Sequence, residues 1–88
     1  MLRKTVTIEN ELGLHARPAL LLVQTASKFK SEISFLKDGA RVNAKSILGV
    51  MTLAAKKGSK IIIEAEGEDA SKALKALAAH FEDKFGEE

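Results

Sequence analysis

The segment "GLHARPA", residues 13–19, brings a histidine, an arginine and the single proline of the chain within one helical turn of each other. A neutral imidazole is a competent nucleophile near neutral pH, because histidine side chains titrate at about 6.5. A guanidinium can bind two oxygens of a phosphate at once. Proline is tolerated in the first turn of a helix, where its missing N–H costs nothing. The segment therefore indicates chemistry on an anion at the start of a helix.

If a helix begins at Ala16, His15 lies at or near its N-cap. The backbone N–H groups of Ala16 and Arg17 then have no carbonyl partner within the helix, and they share the positive end of the helix dipole. Such a helix start is an anion site. Gly13 allows the preceding loop to approach other backbone closely. The hypothesis is that His15 accepts a phosphoryl group, which the two N–H groups and the Arg17 guanidinium then stabilise.

Two other roles for His15 compete with this hypothesis. A histidine at a helix start is often only a surface or capping residue. A metal site is less favoured, because His80 is the one other histidine and the chain has no cysteine. His80 stands beside Phe81 at the edge of an apolar stripe, which favours a structural or solvent-facing role. We expect neither a metal nor a cofactor.

Composition limits the remaining classes of function. The chain has 88 residues, 45% of them hydrophobic and 30% charged, which predicts one small domain over residues 1–88. A net charge of +2, with no Tyr and no Trp, does not favour direct binding of nucleic acid. The first ten residues alternate in polarity, unlike a signal peptide, and the longest apolar run is too short to cross a bilayer. We therefore expect a cytoplasmic protein with no membrane insertion.

The periodicity of apolar residues changes several times along the chain. Alternation predicts strands, and Asp38-Gly39 predicts a hairpin turn. Apolar residues at helical spacing predict three helices, the last capped by Asp69 and ended by Gly86. The order β-α-β-β-α-β-α predicts a two-layer α+β sandwich with a largely antiparallel sheet and its helices on one face. The predicted strands are residues 2–8, 32–36, 40–44 and 61–65, and the predicted helices are 16–28, 46–55 and 69–86.

The second segment of interest is "VNAKSILGVMTL", residues 42–53. Ser46 precedes the apolar part of this segment and is a natural N-cap hydroxyl, a contribution of about 1 kcal/mol. Val50 and Leu53 are expected in the core.

Several apolar side chains have no predicted place in the core. On the first helix Ala19, Leu22, Val23 and Ala26 form the core stripe, which leaves other residues facing elsewhere. Such residues can simply pack at the periphery, but around His15 they would form a small apolar surface for partner proteins. This candidate docking surface consists of Leu20, Gln24, Ile47, Leu48 and Met51, with Arg17, Lys28, Lys45 and Lys56 as candidate rim cations for acidic partners.

With "GLHARPA", "VNAKSILGVMTL", the chain length and the element order together, the sequence resembles the HPr family, the histidine-containing phosphocarriers of the bacterial phosphoenolpyruvate-dependent phosphotransferase system. The resemblance implies a sheet of order 1-4-2-3 with three helices on one face. It implies that phosphorylated Enzyme I delivers a phosphoryl group to Nδ1 of His15, and that IIA-type components of sugar uptake receive it. It implies a stoichiometric carrier rather than an enzyme.

The same resemblance leaves two alternatives open. In some lineages the serine equivalent to Ser46 is phosphorylated by an HPr kinase/phosphorylase, which implies a regulatory module that recruits a transcription regulator. The leucine at position 12, before the active-site glycine, resembles the residue found there in the nitrogen-related branch of the family. The segment "KSILGVM" instead resembles the sugar-system and regulatory members. The resemblance therefore implies phosphoryl transfer through His15 but does not decide between sugar uptake, the nitrogen-related branch and regulation.

Overall fold

The computed structural model describes residues 1–87, so the predicted domain end at residue 88 lies outside the described residues. Four strands form one sheet in the order β1-β4-β2-β3, with every neighbouring pair antiparallel. Three helices complete an open-faced α+β sandwich, which confirms the predicted fold class and element order. The elements are β1 (Leu2–Thr7), α1 (Ala16–Ala26), β2 (Glu32–Lys37), β3 (Ala40–Asn43), α2 (Ile47–Thr52), β4 (Lys60–Glu66) and α3 (Ala70–Glu82).

Alternation along the strands sends every second side chain into the layer between sheet and helices. Phe35 of β2 faces Ile63 of β4 in register, and both are completely buried. On the opposite face Glu64 is only 3% exposed, and its carboxylate pairs with both Arg3 and Arg41. The positive charges of the two guanidiniums thus offset the cost of burying the Glu64 carboxylate on the outer face of the sheet.

Aromatic side chains join α3 to the sheet and to the C-terminal segment. Phe81 of α3 meets Phe35 edge-to-face, with the ring centroids 6.3 Å apart. It also meets Phe85 edge-to-face at 5.0 Å. All three rings are buried, so the residues that follow α3 are packed into the core. None of the helices in residues 1–87 is long and apolar enough to cross a membrane.

The predicted helix ends were wrong in each of the three helices. The first helix ends at Ala26, two residues early. The second ends at Thr52 because Ala54 has a positive φ of 47°, which a right-handed helix cannot contain. The third ends at Glu82, and Gly86 instead belongs to a separate short 3-10 turn over Lys84–Gly86.

Asp69 occupies the N-cap position of α3, but its side chain does not cap the helix, so that prediction was wrong. The carboxylate instead accepts backbone N–H groups of Lys30 at 2.9 Å and Ser31 at 3.0 Å, and it also accepts the Ser31 hydroxyl. These hydrogen bonds lower the pKa of Asp69 to about 2, and the bond from the Ser31 hydroxyl contributes most. Asp69 therefore ties the start of α3 to the turn between α1 and β2.

This low pKa predicts an acid-dependent loss of stability. Because the pKa is depressed in the folded state, the stabilisation is complete above the unfolded value and disappears as the pH falls from about 4 to about 2. Asp69→Asn should lower Tm at neutral pH and make Tm less dependent on pH in that window. Glu68→Gln, an exposed acid in the same turn, is the control and should behave as wild type. Equal acid sensitivity of Asp69→Asn and wild type would contradict the assignment.

Candidate functional site

The N-terminus of α1 carries His15 at its N-cap position, as predicted. The backbone of His15 is extended, and its side chain caps no N–H group, so the imidazole is available for other contacts. Hydrogen bonding along the helix begins with the N–H of Ala19, which donates to the His15 carbonyl at 3.0 Å. The N–H groups of Ala16 and Arg17 precede that first bond, so they have no partner within the helix, and Pro18 has no N–H group. The helix start thus has the form that an anion site requires.

Gly13 determines how closely the loop before α1 approaches the segment after α2. It has a φ of +70°, and a Cβ at this position would lie 2.6 Å from the carbonyl oxygen of Ala55. The next residue, Leu14, donates its N–H to the same carbonyl at 2.9 Å. A residue larger than glycine would collide with this backbone oxygen, so the loop or the segment after α2 would have to shift.

Arg17 does not extend into solvent but contacts the C-terminal segment. Its Nη1 donates to the Phe85 carbonyl oxygen at 2.7 Å and to Oε2 of Glu87 at 3.0 Å. Its side chain remains 54% exposed. The guanidinium therefore lies close to His15 and can still reach a ligand from solution.

A carboxylate lies between the predicted site residues. Oε2 and Oε1 of Glu87 stand 2.9 and 3.1 Å from Nε2 of His15, and Oε1 accepts Nδ2 of Asn10 at 2.9 Å. The hydrogen bond with His15 holds the pKa of the Glu87 carboxyl below its usual range; Asn10 and Arg17 lower it further, and burial opposes them. The site therefore already binds an anion, supplied by the chain itself.

Sequence analysis missed both Glu87 and Asn10. Asn10 is completely buried, and its Nδ2 also donates to the Gly13 carbonyl at 2.8 Å, so it braces the loop that precedes His15. Glu87 is 72 residues away from His15 in the sequence. A glutamate in a polar tail carries no local signal of such a contact.

The five residues of the candidate docking surface are all exposed, as predicted. Relative exposure is 48% for Leu20, 36% for Ile47, 75% for Leu48 and 41% for Met51, and Gln24 is exposed as well. Helices α1 and α2 contact each other, so the five lie on neighbouring elements.

The predicted cap and core residues of α2 are confirmed. Ser46 Oγ accepts the N–H of Gly49 at 3.1 Å. Val50 and Leu53 are buried.

Two further side chains suggested by the sequence are engaged elsewhere. The ammonium of Lys45 donates to the Phe29 carbonyl at 2.8 Å and its side chain is half-buried, which makes it a poor rim cation. His80 Nε2 contacts Thr25 Oγ1 at 2.8 Å, between α3 and α1. Burial lowers the pKa of His80, which keeps it neutral in a structural role.

Comparison with known proteins gives one consistent family. A family model described as "PTS HPr component phosphorylation site" matches residues 2–83. The phosphocarrier protein HPr of Treponema pallidum is 51% identical over 88 residues, which is 100% of both chains. The HPr-like protein Crh of Halalkalibacterium halodurans is 50% identical over 82 residues, covering 93% of this chain and 98% of that protein.

A solved structure shows the same fold. The crystal structure of HPr-C-His from Thermoanaerobacter tengcongensis aligns with a TM-score of 0.96 and 53% sequence identity, over 100% of this chain and 99% of that one.

The contact at Gly13 predicts a large effect of a small substitution. Gly13→Ala should lower the free energy of unfolding by about 2–3 kcal/mol, since a left-handed alanine costs about 1–2 kcal/mol and the collision with Ala55 adds to it. Gly58→Ala is the matched control, because Gly58 has a φ of +91° with open space around its Cβ position. Urea denaturation of both variants measures the difference; equal losses would contradict the steric role of Ala55.

Proposed function

The chain belongs to the HPr family of phosphocarrier proteins of the phosphotransferase system, and we propose that it accepts a phosphoryl group on His15 and donates it to another protein. The observation that supports this most directly is the bound carboxylate of Glu87, held 2.9 Å from His15 Nε2 and 3.0 Å from Arg17 Nη1. Donors that hold a carboxylate in this way suit the oxygens of a phosphoryl group. We take residues 1–88 to act as one carrier domain.

The chemistry of the proposed transfer needs positioning and neutralisation of charge rather than covalent machinery. The phosphorus forms a bond to Nδ1 of His15 while its bond to the donor breaks. The N–H groups of Ala16 and Arg17 and the Arg17 guanidinium stabilise the phosphoryl oxygens. Each molecule of protein takes up one phosphoryl group and is regenerated only by giving it away, so the protein acts as a carrier and not as an enzyme.

The proposed donor is phosphorylated Enzyme I, and the proposed acceptors are IIA-type components of sugar uptake, both met in the cytoplasm. Leu20, Ile47, Leu48 and Met51 are exposed on the neighbouring helices α1 and α2, and with Gln24 they form the proposed contact surface for partners. Methionine adapts its shape readily, which suits a surface that binds different partners in turn. The exposed cations Arg17, Lys28 and Lys56 favour acidic partner surfaces.

A second role, in regulation, is favoured by Ser46 and by the similarity to HPr-like protein Crh. Ser46 stands at the N-cap of α2, whose first N–H groups tolerate a phosphate. We propose that an HPr kinase/phosphorylase modifies Ser46 and that the phosphorylated form binds a transcription regulator. The nitrogen-related branch of the family is the proposed alternative to sugar uptake, because Leu12 resembles the residue of that branch. Leu12 precedes Gly13 and is 75% exposed.

Incubation with phosphoenolpyruvate and Enzyme I tests the carrier role. Mass spectrometry should find a single acid-labile phosphoryl group on wild type and none on His15→Ala. His80→Ala is the matched control and should be phosphorylated as wild type, since the other histidine contacts Thr25 rather than the site. A wild-type protein that remains unmodified, or a His15→Ala variant that still takes up phosphate, would overturn the proposal.

Ser46→Asp tests the regulatory role. The added charge should slow phosphorylation by Enzyme I about fivefold to tenfold through repulsion of an acidic partner. Tm should hardly change, because aspartate is also a good N-cap residue. Ser46→Asn caps without the charge and should transfer at the wild-type rate. Equal rates for Ser46→Asp and wild type would refute the electrostatic effect.

A further inference from the structure

We propose that Met51 is an oxidation site in the docking surface, where a peroxide transfers one oxygen atom to the thioether and thereby weakens binding of the phosphoryl donor, Enzyme I. This modification site rests on the proposed phosphocarrier function, because it acts on the surface that the function assigns to partners. Three features support it: the exposure of Met51, its neighbours on α2 and the place of the other methionine.

The sulfur atoms of this chain belong to two methionines, Met1 and Met51, because the sequence contains no cysteine. Both side chains are exposed, Met1 to 68% and Met51 to 41%. A peroxide converts an accessible thioether to a sulfoxide. Oxidants in solution can therefore reach both methionines, and no thiol of the same chain competes for them.

Met51 lies among the apolar residues of the docking surface. Side chains three and four residues apart on a helix are neighbours, so Met51 lies next to Leu48 and Ile47 on α2. Leu48 is 75% exposed and Ile47 is 36% exposed. Val50, in contrast, is completely buried and packs the inner face of the same helix into the core. The thioether is thus part of an apolar helix face that a partner would cover.

The fold does not depend on the Met51 side chain. Met51 belongs neither to the buried core nor to the half-buried apolar residues packed against it. Other contacts hold α2: the Ser46 hydroxyl accepts the N–H of Gly49 at 3.1 Å, and the Thr52 hydroxyl donates to the Gly49 carbonyl at 2.6 Å. In the free protein a sulfoxide oxygen on Met51 stays hydrated. Its cost arises when a partner covers it, since a buried acceptor without a hydrogen bond is unfavourable.

The reaction is a transfer of one oxygen atom with two electrons. A lone pair of the Met51 sulfur attacks one oxygen of the peroxide, an S–O bond forms, and the O–O bond breaks with its electron pair. The proton of the attacked oxygen moves to the departing oxygen, which leaves as water when the oxidant is hydrogen peroxide. The sulfur is oxidised and the peroxide is reduced. Methionine sulfoxide reductases reverse the step, so the docking surface can lose and regain an apolar contact.

Met1 distinguishes this role from general oxidative damage. It lies with Glu32, Glu64 and Glu66 around a small hollow on the outer face of the sheet. The docking surface belongs to helices α1 and α2, which pack on the other face. Oxygen on Met1 should therefore leave the docking surface unchanged, and the chain carries an internal control.

Peroxide treatment of wild type and of Met51→Leu tests the proposal. Each protein is treated with hydrogen peroxide, separated from it, and assayed as the acceptor of phosphorylated Enzyme I, while mass spectrometry locates the added oxygen. Treated wild type should show a KM about fivefold to tenfold higher than untreated wild type with the same kcat, because the oxygen is covered only in the complex. Treated and untreated Met51→Leu should have equal KM values, although Met1 is oxidised. Methionine sulfoxide reductases should return the wild-type KM to its initial value.

Each contrary result has a distinct meaning. Equal KM values before and after oxidation of Met51 would overturn the proposal, as would a Met51 that takes up no oxygen while Met1 does. An equal rise of KM in treated Met51→Leu would assign the effect to Met1, and a lower Tm of oxidised wild type would assign it to the fold; either result would overturn the role of Met51. An untreated wild-type protein that takes no phosphate on His15 would instead remove the proposed function, a failure that is visible before any peroxide is added.

Discussion

A single backbone hydrogen bond, from the N–H of Leu14 to the carbonyl of Ala55, fixes the start of α1, and the site depends on it. The bond forms only because Gly13 has no side chain in the space next to that carbonyl. It places His15 at the N-cap, with its backbone extended and its imidazole free of the helix. It also joins the start of α1 to the segment that follows α2.

The site unites three parts of the chain that are distant in sequence. The loop before α1 contributes Asn10 and His15, the first turn of α1 contributes Arg17, and the C-terminal segment contributes Glu87. Two of the four carry opposite charges and contact each other directly, with Nη1 of Arg17 3.0 Å from Oε2 of Glu87.

The parts of this arrangement that local sequence encodes were predictable. Pro18 and the helical spacing after it located the start of α1, and Ser46 located the start of α2, because caps act on the backbone within a few residues. Alternation located the strands, and the resemblance supplied their order. The contact between Glu87 and His15 was not predictable, since it depends on how Phe85 packs against α3. The carboxylate of Asp69 likewise binds the turn at Ser31 instead of its own helix. The end of α2 was not predictable either, because the left-handed residue there is Ala54 and not a glycine.

The central claim is that His15 receives a phosphoryl group on Nδ1. Heteronuclear NMR of the phosphorylated, ¹⁵N-labelled protein tests this directly, because scalar coupling between ³¹P and a ring nitrogen identifies the atom that is bonded. The account predicts coupling from phosphorus to Nδ1 of His15. Coupling to Nε2, or a phosphoryl group on any other residue, would contradict it.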